Sequence, residues 1–199
     1  MPGFEAAASI AAELRGFFPG ANGHMVWDPW ASIDPGPLGY GSSDPPLMIR
    51  PVGGDRPPDP PGLVVAEVLD EPGLDAFEEV LAQAFPLTGL VSGRDRVFGP
   101  RILEHPDVRL WVGRVDGRAV STSMATSTRG YTFIGYIATL AEARGHGYGG
   151  AVTWRATLAD PAVPALLHAS SLGRPVYERM GYETIAPARI WIRQPLPSP

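Results

Sequence analysis

Cysteine is absent from this chain of 199 residues. No disulfide can staple it, no thiolate can ligate a metal, and covalent catalysis through a cysteine thioester is excluded. Lysine is absent too, because all 16 basic residues are arginines, so the protein has no side-chain amine of its own to be acylated. The arginines are scattered, and 21 acidic residues bring the net charge to −5. Without a basic stripe, no nucleic-acid partner is expected. No apolar run approaches the roughly 20 residues that cross a bilayer, and the N-terminus lacks a charged segment followed by an apolar one. No membrane partner and no metal are expected, and a soluble cytoplasmic protein is the default.

Glycine and proline are plentiful, at 24 and 23 residues, and they divide the chain. Phe4, Ala7, Ala8, Ala11, Leu14 and Phe18 share one helical stripe, which reads as a short packing helix. A turn-rich stretch from Pro19 to Pro46 follows, carrying Trp27, Trp30 and Tyr40, and Met48 and Ile49 suggest a short strand. PVGGDRPPDPPG, from Pro51 to Gly62, reads as a semi-rigid linker. Residues 1–62 are therefore read as an extension and 63–199 as the main domain.

That domain opens with a strand at Leu63–Leu69 and a helix whose buried stripe is Leu74, Phe77, Leu81, Ala84 and Phe85, with Pro72 near its start and Pro86 at its stop. A second, broken helix is expected between Arg94 and Glu104, interrupted by Gly99 and Pro100. Strands at Arg109–Val115 and Arg118–Thr126 meet at Asp116-Gly117, a favoured two-residue hairpin turn. Tyr131–Leu140 adds the third strand of this meander, and later strands are expected at Ala165 and Ile185.

After the meander comes RGHGYGG, Arg144 to Gly150, and then a helical stretch stopped by Asp160 and Pro161. Strand, glycine loop and helix make an anion site: glycines let the backbone approach, and the helix N-terminus carries about half a positive charge. Gly145, Gly147 and Gly150 satisfy a dinucleotide G-x-G-x-x-G pattern, but the next strand, Ala165 to Ala169, ends in serines where that fingerprint needs an acid.

Read as R-x-x-G-x-G, with Arg144, Gly147 and Gly149, the loop resembles the coenzyme A signature of the GNAT superfamily of N-acetyltransferases. LLHASSLGRPVYERMGY, Leu166 to Tyr182, resembles that family's later motif, and the resemblance spans Leu63 to Arg193. It implies an α/β (α+β) fold with a mixed, mostly antiparallel twisted sheet flanked by helices. It also implies transfer of an acetyl group from acetyl-CoA to a small-molecule or peptide amine in a ternary complex; a non-catalytic acyl-CoA sensor or structural module is the alternative. A homodimer is left open. Backbone N–H groups of Gly145, His146, Gly147, Tyr148 and Gly149 would hold the pyrophosphate, with Arg144 adding charge or bracing the loop. The backbone of Ile137, Ala138 and Thr139 would pair with the pantetheine arm, a distortion there opening the gap. Ser170 would contact the pantetheine or cap the next helix, and Tyr177 would face the sulfur as the catalytic residue. No general base declares itself among Glu104, His105, Glu142, His146 and His168.

Overall fold

The computed structural model describes residues 13–14, 16–17, 24–28, 36, 39–84 and 97–193. Most of the expected N-terminal helix, Trp30, Phe85, Pro86 and residues 94–96 lie outside the described residues. Three short strands come first: β1 (His24–Asp28), β2 (Gly41–Ser43) and β3 (Leu47–Arg50). After the linker come β4 (Leu63–Glu67) and helix α1 (Glu71–Ala84), which buries Leu74, Phe77, Val80 and Leu81. Where a second helix is expected, Pro100–Glu104 form a single 3-10 turn, with Gly99 and Pro100 limiting its length.

The meander forms as expected. β5 (Val108–Val115) and β6 (Arg118–Ser127) join at Asp116 and Gly117, both with positive φ, and β7 (Thr132–Thr139) follows. Helix α2 (Tyr148–Thr157), β8 (Ala165–His168), helix α3 (Arg174–Arg179), β9 (Glu183–Ala186) and β10 (Arg189–Arg193) complete the order. Helix α2 starts inside the glycine loop rather than after Gly150. Gly147, at φ 83°, turns the chain into the helix, and Gly149 and Gly150 become its first turn.

Seven strands make one sheet in the order β4-β5-β6-β7-β8-β3-β9, antiparallel except where β7 meets β8. This is the mixed, mostly antiparallel α/β class. The sheet draws on both sides of the linker: β3, from the extension, lies between β8 and β9 and pairs antiparallel with each. Its Met48 is fully buried in the same core as Leu167 and Tyr182. The last strand, β10, pairs instead with β1 and β2 in a separate three-stranded sheet. Two cores result: α1 packs with Leu110, Val112 and Val120, while Trp154 of α2 and Tyr177 of α3 pack with Ile134 and Leu167.

Candidate active site

The site grows from the one parallel contact in the sheet. β7 and β8 pair only through Thr132–Ala165, Phe133–Leu166 and Ile134–Leu167, and beyond Ile134 the two strands no longer pair. An extra residue in β7 accompanies the divergence. Between the pairs Met124–Gly135 and Thr122–Ala138, the single residue Ser123 stands opposite Tyr136 and Ile137. That is a β-bulge, and Tyr136 takes φ 49°, a conformation that costs free energy in a residue with a side chain. Two contacts hold it there: the Thr122 hydroxyl donates to the Tyr136 carbonyl at 3.1 Å, and the Tyr136 ring meets Phe98 edge-on at 5.0 Å. Ile137, Ala138 and Thr139 therefore lie on the segment of β7 whose β8 side is unpaired, where a ligand can add main-chain hydrogen bonds.

Immediately beyond β7 the chain reaches the glycine loop. Arg144 donates from Nε to the Thr139 carbonyl at 3.2 Å, so this arginine braces the loop against the end of β7. Gly145 and Gly147 both have φ 83°. No side chain caps α2, whose first N–H groups are left pointing out of the helix with its positive dipole end. Gly149 is fixed by a close approach: a Cβ there would come within 2.8 Å of Thr139 Oγ1. His146 is exposed, stacked on Tyr148 at 5.4 Å, with Nδ1 held by its own loop at the Arg144 carbonyl. From the other side the linker abuts the loop, Pro60 lying 3.2 Å from where a Gly147 Cβ would be.

Tyr177 sits on α3, facing the core that contains Ile134 and Leu167. Its ring packs so tightly on Gly173 that a Cβ there would lie 2.7 Å away. Burial first, and the neighbouring Tyr182 second, push its phenol well above the ordinary tyrosine range. Tyr182 is pushed up to about 12 by burial, and its hydroxyl shares a 2.7 Å hydrogen bond with Thr157. Ser170 closes the turn before α3: its hydroxyl accepts the Gly173 N–H at 3.1 Å, while Gly173 is the N-cap and no side chain caps the helix.

The candidate bases separate. A backbone hydrogen bond first, and an exposed ion pair with Arg118 second, lower the pKa of Glu142. His105 Nδ1 accepts the Asp107 N–H, beside the 3-10 turn that holds Glu104. His168 alone reaches the opening, at the end of β8, next to Leu167. Its ring meets Trp27 edge-on at 4.4 Å and lies 5.7 Å from Phe133. Burial lowers its pKa, partly offset by the Pro45 carbonyl. Trp27, one of the aromatics of the turn-rich stretch, reaches this group through the placement of β1. Among the described residues no cluster of His, Asp and Glu is arranged for a metal, and no helix is long and apolar enough to cross a membrane.

The fold of this chain also occurs among solved structures. A GCN5-related N-acetyltransferase from Kribbella flavida superposes with a TM-score of 0.59 at 23% identity, over 86% of this chain and 67% of that one. A Novosphingobium aromaticivorans protein described as belonging to the GNAT family gives 0.61 at 18% identity, over 94% and 80%. The chain has the GNAT fold. A third structure with this fold, a Clostridium acetobutylicum protein described as an acetyltransferase with acetyl-CoA, gives 0.50 at 17% identity, over 62% and 91%. No family model matches the sequence, and no curated protein matches it.

Proposed function

We propose that this chain is an N-acyltransferase that moves an acetyl group from acetyl-CoA to an amine by direct attack in a ternary complex. The observation that carries the reading is the junction of two features: the unpaired, bulged half of β7 and the uncapped N-terminus of α2, joined by residues 140–147, which include the 3-10 turn Ala141–Ala143. One accepts an extended amide-bearing arm; the other accepts a phosphate. Their residues fit coenzyme A, since no side chain caps the start of α2 and Ile137, Ala138 and Thr139 have no strand partner on the β8 side. The solved Clostridium structure with acetyl-CoA supports the same choice of ligand.

When bound, acetyl-CoA supplies an activated thioester with a thiolate leaving group. Gly145, His146, Gly147, Tyr148 and Gly149 offer backbone N–H groups to its pyrophosphate, and Arg144 keeps that loop in place. Ile137, Ala138 and Thr139 offer main-chain partners to the pantetheine arm. Ser170 shapes the turn before α3 by accepting the Gly173 N–H. Tyr177 offers a phenol proton at the sulfur. An ordinary phenol and thiol differ by about 1.5 pKa units, so full transfer costs about 2 kcal/mol, and burial of Tyr177 widens the gap. The tyrosine is therefore a hydrogen-bond donor that stays protonated. Direct attack is the economical route in a chain with no cysteine to carry the acyl group.

Acetyl-CoA incubated with a panel of amines, with free thiol as the readout, tests the proposal. Amine-dependent thiol release is expected. Tight binding of acetyl-CoA with no release on any amine would replace the enzyme with a binding module.

A further inference from the structure

The opening between β7 and β8 has two faces, and they differ in character. Ile134 and Leu167 point to the face that holds Tyr177, α2 and α3. Strand alternation sends their neighbours Phe133 and His168 to the other face, where β1 lays Trp27 across both strands. The indole lies 6.1 Å from the Phe133 ring and 4.4 Å from His168, yet Trp27 is 46% exposed. An aromatic wall thus stands at the opening on the side away from the phosphate loop. Within it, His168 Nδ1 is closed off from solvent and has no hydrogen-bond partner, an arrangement that costs free energy until a donor reaches it.

Glu13 lines the same hollow as Trp27, and the charged groups of the neighbouring strands are held by partners. Asp28 on β1 accepts the Trp191 indole N–H, Arg189 on β10 is paired with Asp44, and Arg50 on β3 donates to the Met180 carbonyl at the far end of the strand. Tyr131 and Tyr136 are the titratable groups that flank this stretch of β7. Among the described residues, burial and the Pro45 carbonyl set the state of His168.

We propose that Trp27, Phe133 and His168 form the acceptor subsite, which takes amines bearing an aromatic or bulky apolar group and binds the amine N–H at His168 Nδ1. This rests on the acyl-transfer reading. The apolar group packs against the indole and Phe133, and Trp27 shifts to admit the amine to the imidazole. As the nitrogen bonds to the acyl carbon, the C–S bond breaks and its electron pair leaves with the thiolate, while the proton the nitrogen sheds passes to Nδ1, so that the N–H bond breaks, an Nδ1–H bond forms and the imidazole becomes imidazolium. A linear diamine carries no aromatic or bulky apolar group to fill such a wall.

The test compares 2-phenylethylamine with 1,4-diaminobutane on the full chain, by thiol release and by direct binding. Binding is read without acetyl-CoA from the His168 ring resonances and from indole fluorescence. At least a tenfold higher kcat/KM is expected for phenylethylamine, which should move the His168 resonances, and Trp27→Ala should raise its KM about tenfold. The milder Trp27→Phe should give a smaller rise if the alanine variant folds poorly. His168→Asn keeps a polar atom near Nδ1 but cannot titrate, so the acidic limb of the kcat/KM profile should flatten and kcat should fall. Equal use of the diamine, unmoved resonances, or an unchanged KM in both tryptophan variants would overturn the subsite. If no amine releases thiol, the acyl-transfer reading fails separately, while the resonances still judge the subsite.

Discussion

Tyr177 carries the most chemistry of any single residue, and its surroundings decide which chemistry. A phenol held protonated by burial can stabilise a developing thiolate through a hydrogen bond, without giving up its proton early. Tyr177→Phe should therefore lower kcat by one to two orders of magnitude, as loss of a single oriented donor costs about 10²-fold, while acetyl-CoA binds as before. Steady-state kinetics beside a binding titration checks this, and an unchanged kcat would remove the hydroxyl from the reaction. His168 gives a second, independent readout. Its folded pKa is below the ordinary value, so the unfolded chain binds the proton more readily. Its contribution to stability is complete above about pH 6.5 and is lost as pH falls from there towards the folded value. Denaturant unfolding between pH 7.5 and 5 should show that loss, and His168→Asn should reduce the slope.

At the level of elements, the close contact between β7 and α2 is the joint that sets the site. Gly149→Ala forces a Cβ against Thr139 Oγ1, and neither the bulged strand nor the helix start can move without disturbing the loop. A lower melting temperature and weaker acetyl-CoA binding should appear together. Gly147→Ala adds a side chain at φ 83° facing Pro60 and should cost about 1 to 2 kcal/mol in chemical denaturation. The hairpin at Asp116-Gly117, the meander and the glycine loop were legible in the sequence because turn residues and strand periodicity are local signals. The start of α2 was misjudged because Gly149, which reads as loop, lies inside the helix, where a Cβ would come within 2.8 Å of Thr139 Oγ1. The bulge was expected only as a distortion near Ile137; its left-handed residue, Tyr136, carries no local mark.

At the scale of the whole molecule, the extension and the main domain are interleaved. Met48 and Ile49 read as a short strand, but nothing local says that they lie between β8 and β9, because strand order is decided by burial across residues far apart in sequence. The same distance hid Trp27, which reaches the opening only after β1 pairs with β10. The linker is also fastened: Asp59 joins Arg56 to Arg155 of α2, the latter at 2.7 Å. A chain lacking residues 1–62 loses a strand from within its sheet and should fail to unfold cooperatively by circular dichroism, whereas two separable units would leave residues 63–199 folded.

Acetyl-CoA binding to the full chain, followed by thermal unfolding, bears on the site as a whole. Ligand at 100 times its dissociation constant adds about 2.7 kcal/mol, which raises the melting temperature of a chain of this size by roughly 5–10 °C. That rise is expected for the unaltered protein and should shrink in Gly149→Ala. A folded protein whose melting temperature does not move with acetyl-CoA would contradict the assignment of the glycine loop and the open strand to coenzyme A.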